Sequence, residues 1–400
     1  MINDLNIKGA LLEKNQLEKY LEQQATEHNI TNKSLLSTYP IPNVLNDFKF
    51  ITKVYKLLNE HIKMKINIHP AGEWLLDNYY IINENMQVLL EEVTRKKYHR
   101  LPGLEDGIYS GYSRIYVLAE EIVGHRDNKI EKEMLEGALK AYQNKKMLNM
   151  DELWELQNFL RLSIIKNISH ICEKIYISQL EKERVIRILQ NTITAENKKY
   201  NFKKHTYKKT YEMKCAFVEF MSYKLKKYGK IGIPYMNILE EQVNITGNTI
   251  EEMINKQHYS IALAKVSMGN AINSLKNISR INFESIFEEI NGVEEILKKD
   301  PTQTYENMSF ETKAYYRDKI KELSKETKAS EIYIVNKALE LSKLENTHLG
   351  YYLIDDGKKI LLKKLGINKA QGTFHQKSNL YITIYFIVTS ILTILFYTFN

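Results

Sequence analysis

Apolar residues recur every three or four positions along most of this chain, and that spacing predicts one helix after another. Over 11–24, Leu11, Leu12, Leu17 and Leu21 stand against a polar remainder, the pattern of an amphipathic helix. A turn marked by Pro40 and Pro42 leads into 44–65, periodic again through Phe48, Ile51, Tyr55, Leu58 and Ile62. Pro70 punctuates, and 71–98 then places Trp74, Leu75, Tyr79, Ile82, Met86 and Leu89 on one broad face. Helices are expected over 130–144 and from 151 onward, the second with the stripe Leu153, Leu156, Leu160, Ile164, Ile168 and Cys172. Asn149, three residues before Glu152, has capping-box spacing and marks that start. Further helices are expected over 211–228, 234–244, 249–276 and 282–299, with Asn248 and Glu251 repeating the box. Ser309 and Ser330 are candidate N-caps for helices through 314–323 and 332–344.

Three stretches depart from the pattern. The first, KYHRLPGLEDGIYSGYSRIY over 97–116, is the least helical part, with Gly103, Gly107 and Gly111 among aromatics. The second, NKKYNFKKHTYKK over 197–209, holds six Lys and His205 without an acid, and an internal boundary is expected there. The third, 378–400, has no charged side chain and reads as a transmembrane helix, long enough to cross roughly 30 Å of hydrocarbon. Tyr381 and Tyr397 lie near its ends, and Lys358, Lys359, Lys363, Lys364, Lys369 and Lys377 precede it with no acid among them. That bias places the preceding body in the cytoplasm, tethered to the membrane by this helix.

The expected organisation is all-α. Amphipathic N-terminal helices over 1–66 precede a first helical subdomain over 67–196, and the basic linker spans 197–209. A second subdomain with its basic juxtamembrane segment runs over 210–377, before one C-terminal transmembrane helix over 378–400. Only 6 Pro and 16 Gly interrupt 400 residues, which favours helices throughout. The N-terminus lacks the apolar run of a signal peptide, and Cys172 and Cys215 form no metal or redox pair. A net charge of +8 raises nucleic acid as a partner, but Arg supplies only nine of the 57 basic residues. Arg is the side chain that bidentate recognition of phosphate and guanine prefers, so the charge is read as solubility and attraction to anionic membrane lipid, with no nucleic acid.

Candidate chemistry is sparse. Glu73 and Asp77 stand one turn apart beside Trp74, the placement of an acid/base pair, yet two carboxylates in a first helical turn also complement the helix dipole, and the structural reading is preferred. Tyr109, Tyr112 and Tyr116 offer stacking faces and Arg114 a fork of donors to a glycan or partner, against the plainer reading of a loop with buried tyrosines. Trp74 and Trp154 are expected to support the fold from apolar faces near helix starts, and lone His170 to be packed or solvated rather than a ligand. No phosphate loop, HExxH, CxxC or GxSxG occurs, and no two Asp are separated by a single residue, so neither a catalytic residue nor a metal ligand is assigned.

Six stretches, in this order, resemble the N-terminal region of the cyclic β-1,2-glucan synthases, very large bacterial membrane glycosyltransferases. They are GEWLLDNYYIINENM (72–86), LPGLEDGIYSGYSRIYVLAEEIVGH (101–125), AYQ with DELWELQNFLRLSIIKNI (141–168), VSMGNAINSLKNISRINFESIFEEINGVEEIL (266–297), MSFETKAYYRDKIKELS (308–324) and HLGYYLIDDGKKIL (348–361). The resemblance implies carbohydrate biosynthesis from UDP-glucose with a divalent metal in the full synthase, but no D-x-D or Q-x-x-R-W motif is present here. The leading expectation is a non-catalytic, membrane-anchored helical portion that braces or positions the synthase, with the remainder of the synthase or another membrane protein as partner. The alternative is a stand-alone tail-anchored adaptor binding a protein or anionic lipid. A hydrolase built on Glu73 and Asp77 ranks third.

Overall fold

The computed structural model describes residues 10–194, 213–281 and 283–366. The basic stretch 197–209 and the uncharged run 378–400 lie outside these residues. Among the described residues no helix is long and apolar enough to cross a membrane. Among the described residues the chain is all-α but for one two-residue ladder, and the chain groups into two compact units, Met1–Ile290 and Asn291–Asn400.

The first unit is assembled around one 40-residue helix. Its elements in order are α1 (Lys14–Glu27), β1 (Ile30–Thr31), α2 (Ile41–Lys63), α3 (Pro70–Glu92), α4 (Arg95–Arg100) and β2 (Gly103–Leu104). Then follow α5 (Arg114–His125), α6 (Lys132–Gln143), α7 (Met150–Leu189), α8 (Cys215–Lys227), α9 (Ile233–Ile245), α10 (Ile250–Ile278) and α11 (Phe283–Ile290). At 1.5 Å per residue α7 is about 60 Å long, and α2, α3, α5, α8 and α10 all pack on it. A helix so surrounded must be apolar on more than one face or pair its buried polar groups. Both hold: Leu153, Leu156, Leu160, Ile164, Ile168 and Cys172 are all buried, while Arg161 Nε donates to Asn85 Oδ1 at 3.1 Å and Gln179 Nε2 meets His61 Nδ1 at 2.7 Å. The helix starts where the sequence says it should, since the Asn149 side chain accepts from the Glu152 amide and Glu152 accepts from the Asn149 amide, each at 2.9 Å. The end of α7 forms a further apolar cluster with α8, α9 and the start of α10, built on Val185, Phe217, Met221, Leu239 and Val243.

Several expected boundaries shift for local reasons. The 71–98 helix is broken at Val93, because the Thr94 hydroxyl caps α4 through the Lys97 amide. The second capping box sits one residue later than expected: Thr249, not Asn248, pairs with Glu252, while Asn248 bonds Lys256. The 282–299 helix is also divided, since the Asn291 side chain accepts from the Val293 amide and starts a new helix. Gly111, at φ +82°, turns the 97–116 stretch where any side chain would strike Leu35.

The second unit contains α12 (Gly292–Leu297), α13 (Phe310–Thr327), α14 (Glu331–Glu345), α15 (Gly350–Leu353) and α16 (Lys358–Lys364). Ser309 and Ser330 cap α13 and α14 as expected, through the Thr312 and Tyr333 amides at 3.3 Å. The core contains Leu297, Tyr305, Ile320, Leu323, Ile334, Ala338, Leu349 and Tyr352.

Candidate functional site

The candidate residues of the sequence fall into two separate places in the first unit. Glu73 and Asp77 are exposed on the first turns of α3, whereas Trp74 between them is half-buried, its ring lying where a Cβ on Gly269 of α10 would make ordinary contact at 3.4 Å. One turn on, Asn78 departs from helical geometry and accepts from Lys276 Nζ at 2.8 Å, which ties α3 to α10. Trp74 thus serves a helix contact, and the two carboxylates face water.

Tyr109, Tyr112 and Arg114 belong to the turn entering α5. Tyr112 is buried and contacts Tyr116 with ring centroids 6.2 Å apart. Tyr109 is half-buried, and burial, followed by the nearby Glu121 and Glu120, pushes its hydroxyl up to about 12. Arg114 is 3% exposed and committed inward. Its Nε donates to Glu152 Oε1 at 2.7 Å, its Nη2 donates to Glu152 Oε2, and Nη2 also reaches the Met147 carbonyl at 3.1 Å. Burial opposes the guanidinium charge, but the fully buried Glu152 outweighs it and holds Arg114 above its ordinary value. The same Glu152 that caps α7 is therefore the counter-ion of α5. Beside the pair, His28 Nδ1 lies 2.9 Å from the Tyr142 hydroxyl. Burial, then the Arg114 charge, pushes His28 down to about 4, and burial pushes Tyr142 up to about 12, so a neutral imidazole accepts from a protonated phenol.

Sequence reasoning missed a second convergence, in the second unit. Asp300, from the turn after α12, accepts at Oδ2 from His348 Nδ1 and from the Thr302 hydroxyl, both at 2.7 Å, and at Oδ1 from the Leu349 amide at 2.9 Å. His348 Nε2 lies 2.7 Å from the Tyr316 hydroxyl of α13. Burial resists ionisation of Asp300, yet the bonds from Thr302, Leu349 and His348 together hold the carboxyl below its ordinary range. Burial, then the Asp300 charge, raises Tyr316 and keeps the phenol protonated. The ring is thus bracketed by a protonated phenol at Nε2 and an ionised carboxylate at Nδ1. A side chain on Gly350 would collide with both Tyr316 and His348, so the glycine lets α15 begin against the trio. Nearby, Tyr305 donates to the buried Glu294 at 2.9 Å. Asp300 and His348 lie 48 residues apart, beyond any helical spacing rule. The one signal in the sequence was that Tyr316 and His348 fall in two of the resembling blocks.

Chemically, the trio holds rather than attacks, because the phenol keeps its proton and the carboxylate is saturated with donors. Among the described residues no group of three or more His, Cys, Asp or Glu side chains converges to hold a metal ion.

No family model matches the chain. Against curated proteins, the chain is 23% identical over 336 residues to the cyclic beta-(1,2)-glucan synthase NdvB of Rhizobium meliloti (strain 1021), covering 80% of this chain. The chain spans about 12% of the length of that relative. The relation is distant homology to a part of the synthase.

Proposed function

We propose that this chain is a non-catalytic, membrane-anchored helical portion of a cyclic β-1,2-glucan synthase-like glycosyltransferase, which braces or positions the synthase while it makes glucan from UDP-glucose. The observation that carries the reading is the distant homology, which aligns most of this chain with a small part of a synthase. Two features of the chain support it. The buried Arg114 is paired with Glu152, and the Asp300 carboxylate is held by donors from His348, Thr302 and Leu349, which suits helices that carry structure better than turnover. The lysines over 358–377 and the uncharged 378–400 run suit an anchor with the body on the cytoplasmic side of a bacterial inner membrane. UDP-glucose and its divalent metal belong, in this reading, to the rest of the synthase.

Co-expression of the tagged chain with a glucan synthase polypeptide, in cells lacking their own, tests this. The chain is expected in the membrane fraction after a high-salt wash, to co-purify with the synthase, and to leave the membrane when 378–400 is deleted. Transfer of labelled glucose from UDP-glucose by the purified chain alone, with magnesium or manganese, would overturn the non-catalytic assignment. Membrane retention without co-purification would favour the adaptor.

A further inference from the structure

The sequence-derived candidates leave unused a cleft of about 290 Å³ in the first unit, where the turn after α5 meets α7 and α10. Its wall begins with two consecutive residues in the left-handed region, Asp127 at φ 46° and Asn128 at φ 64°. Asp and Asn are the side chains that tolerate this backbone best, and their own hydrogen bonds hold it. The Ser267 hydroxyl and Asn270 amide of α10 donate to the Asp127 carboxylate, while Asn167 Nδ2 of α7 donates to Asn128 Oδ1 at 2.7 Å. Three elements thus deliver a carboxylate, two amides and a hydroxyl to one side of the space. His170 and Lys174, one and two turns further along α7, continue the polar lining. Ile171, largely buried, and the exposed Ile177 supply an apolar side that reaches the rim.

We infer that this cleft binds a neutral pyranose. Three properties select that class. The lining mixes donors and acceptors at several points, as vicinal hydroxyls require, since each hydroxyl both donates and accepts. Asp127 and Glu173 outnumber Lys174, which disfavours an anion, and Asp127 already receives two donors, which leaves it little to offer a cation. The apolar side matches the C–H face of a sugar ring, and concave sites of a few hundred Å³ with a few convergent polar groups are the usual form of a small-molecule site. That the ring is a glucosyl unit rests on the function proposed above; that it is a neutral sugar rests on the cleft. Asn167 and Ser267 are the residues whose loss should matter most, because each also orders the pair at 127–128.

Ligand-observed NMR on the full-length chain in detergent tests the inference, with glucose and the β-1,2-linked disaccharide sophorose as probes at millimolar concentration. Saturation transfer to sophorose is expected, falling at least tenfold in Asn167→Leu and Ser267→Ala. It should be unchanged in Lys53→Ala, which alters a separate groove between α2 and α7. Thermal melts of each variant establish that it is folded, and His170→Ala, which keeps the 127–128 turn intact, serves as a second loss variant if Asn167→Leu does not fold. No transfer to either sugar, transfer undiminished in all the folded cleft variants, or displacement of sophorose by inorganic phosphate would each overturn the inference. These readouts use the purified chain alone, so their failure is separate from failure to co-purify with a synthase.

Discussion

Each unit holds one histidine against a tyrosine hydroxyl, and the two pairs sit in opposite electrostatic settings. In the first unit His28 faces Tyr142 beside Arg114, and the Lys146 ammonium reaches the His28 carbonyl. In the second, His348 faces Tyr316 with the carboxylate of Asp300 on its other nitrogen. The bond between ring and phenol is nearly the same, 2.9 Å and 2.7 Å. What differs is how deeply the ring is buried and which third group stands beside it, and together they set what acid does to each unit. Cations beside a buried imidazole make its protonated form unwelcome, whereas a carboxylate that receives several donors is stable only while ionised.

The largest effect should come from removing the group that sets the first environment. Arg114→Ala leaves Glu152 fully buried without its counter-ion, and breaking a buried pair in this way costs about 3–5 kcal/mol. Urea denaturation at pH 7 should show that loss in the first unit, with the transition of the second unit unmoved. Burial remains the larger pressure on His28, so its imidazole should still titrate well below 6.5 in the variant. A loss under 1 kcal/mol would mean that the pair is not the keystone of α5 and α7.

Acid should separate the two units next. The folded His28 and His69 are both pushed down from 6.5 to about 4, chiefly by burial, so the unfolded chain takes up these protons first as pH falls. Their contribution is intact above about pH 6.5, declines through the window, and is lost by about pH 4, on the order of 3 kcal/mol for each histidine. Asp300 works lower. Its carboxyl is held below the ordinary 3.8, so its contribution persists at pH 5 and is lost only as pH falls through that value toward the folded one. Hydrogen exchange followed from pH 7 to pH 3 should therefore show the first unit loosening before the second. Asp300→Asn should cost about 1–3 kcal/mol at neutral pH and flatten the acid response of the second unit. Simultaneous loosening near pH 5 would break the comparison.

These contrasts also mark what was legible in the sequence. The stripe from Leu153 to Cys172 and the Asn149–Glu152 box were readable because period and capping act within a few residues. That Glu152 also receives Arg114 from a helix that begins before it was not readable, because nothing local distinguishes a carboxylate that caps from one that caps and pairs. Asn248 and Thr249 are both good caps, each with a glutamate three residues on, and spacing alone does not say that the second is the one used. Trp154 shows the reverse error: at 38% exposed it stacks on Phe287 at 4.8 Å, at the edge of the unit rather than within its core. The glycan-contact reading of Arg114 failed to anticipate that the side chain turns inward, whereas Asp300, His348 and Tyr316 gave no spacing signal at all.

The smallest expected effect tests whether the exposed face of α3 is surface or site. Trp74 is half-buried against α10, so Trp74→Ala should cost about 1–3 kcal/mol, less than the 3–5 kcal/mol typical of a fully buried indole. Glu73 shares its first turn but faces water, and Glu73→Gln keeps the shape while removing a charge that the helix N-terminus welcomes. Such a charge near a solvated N-terminus is worth about 0.3–1 kcal/mol at most, and less as salt screens it. Melting curves in low and moderate salt should resolve a small loss for Glu73→Gln that shrinks as salt rises, and a larger, salt-independent loss for Trp74→Ala. If Glu73→Gln instead leaves stability untouched but abolishes glucan synthesis when the chain is assembled with a synthase, the carboxylates at Glu73 and Asp77 act on a substrate or partner, and α3 presents a functional face.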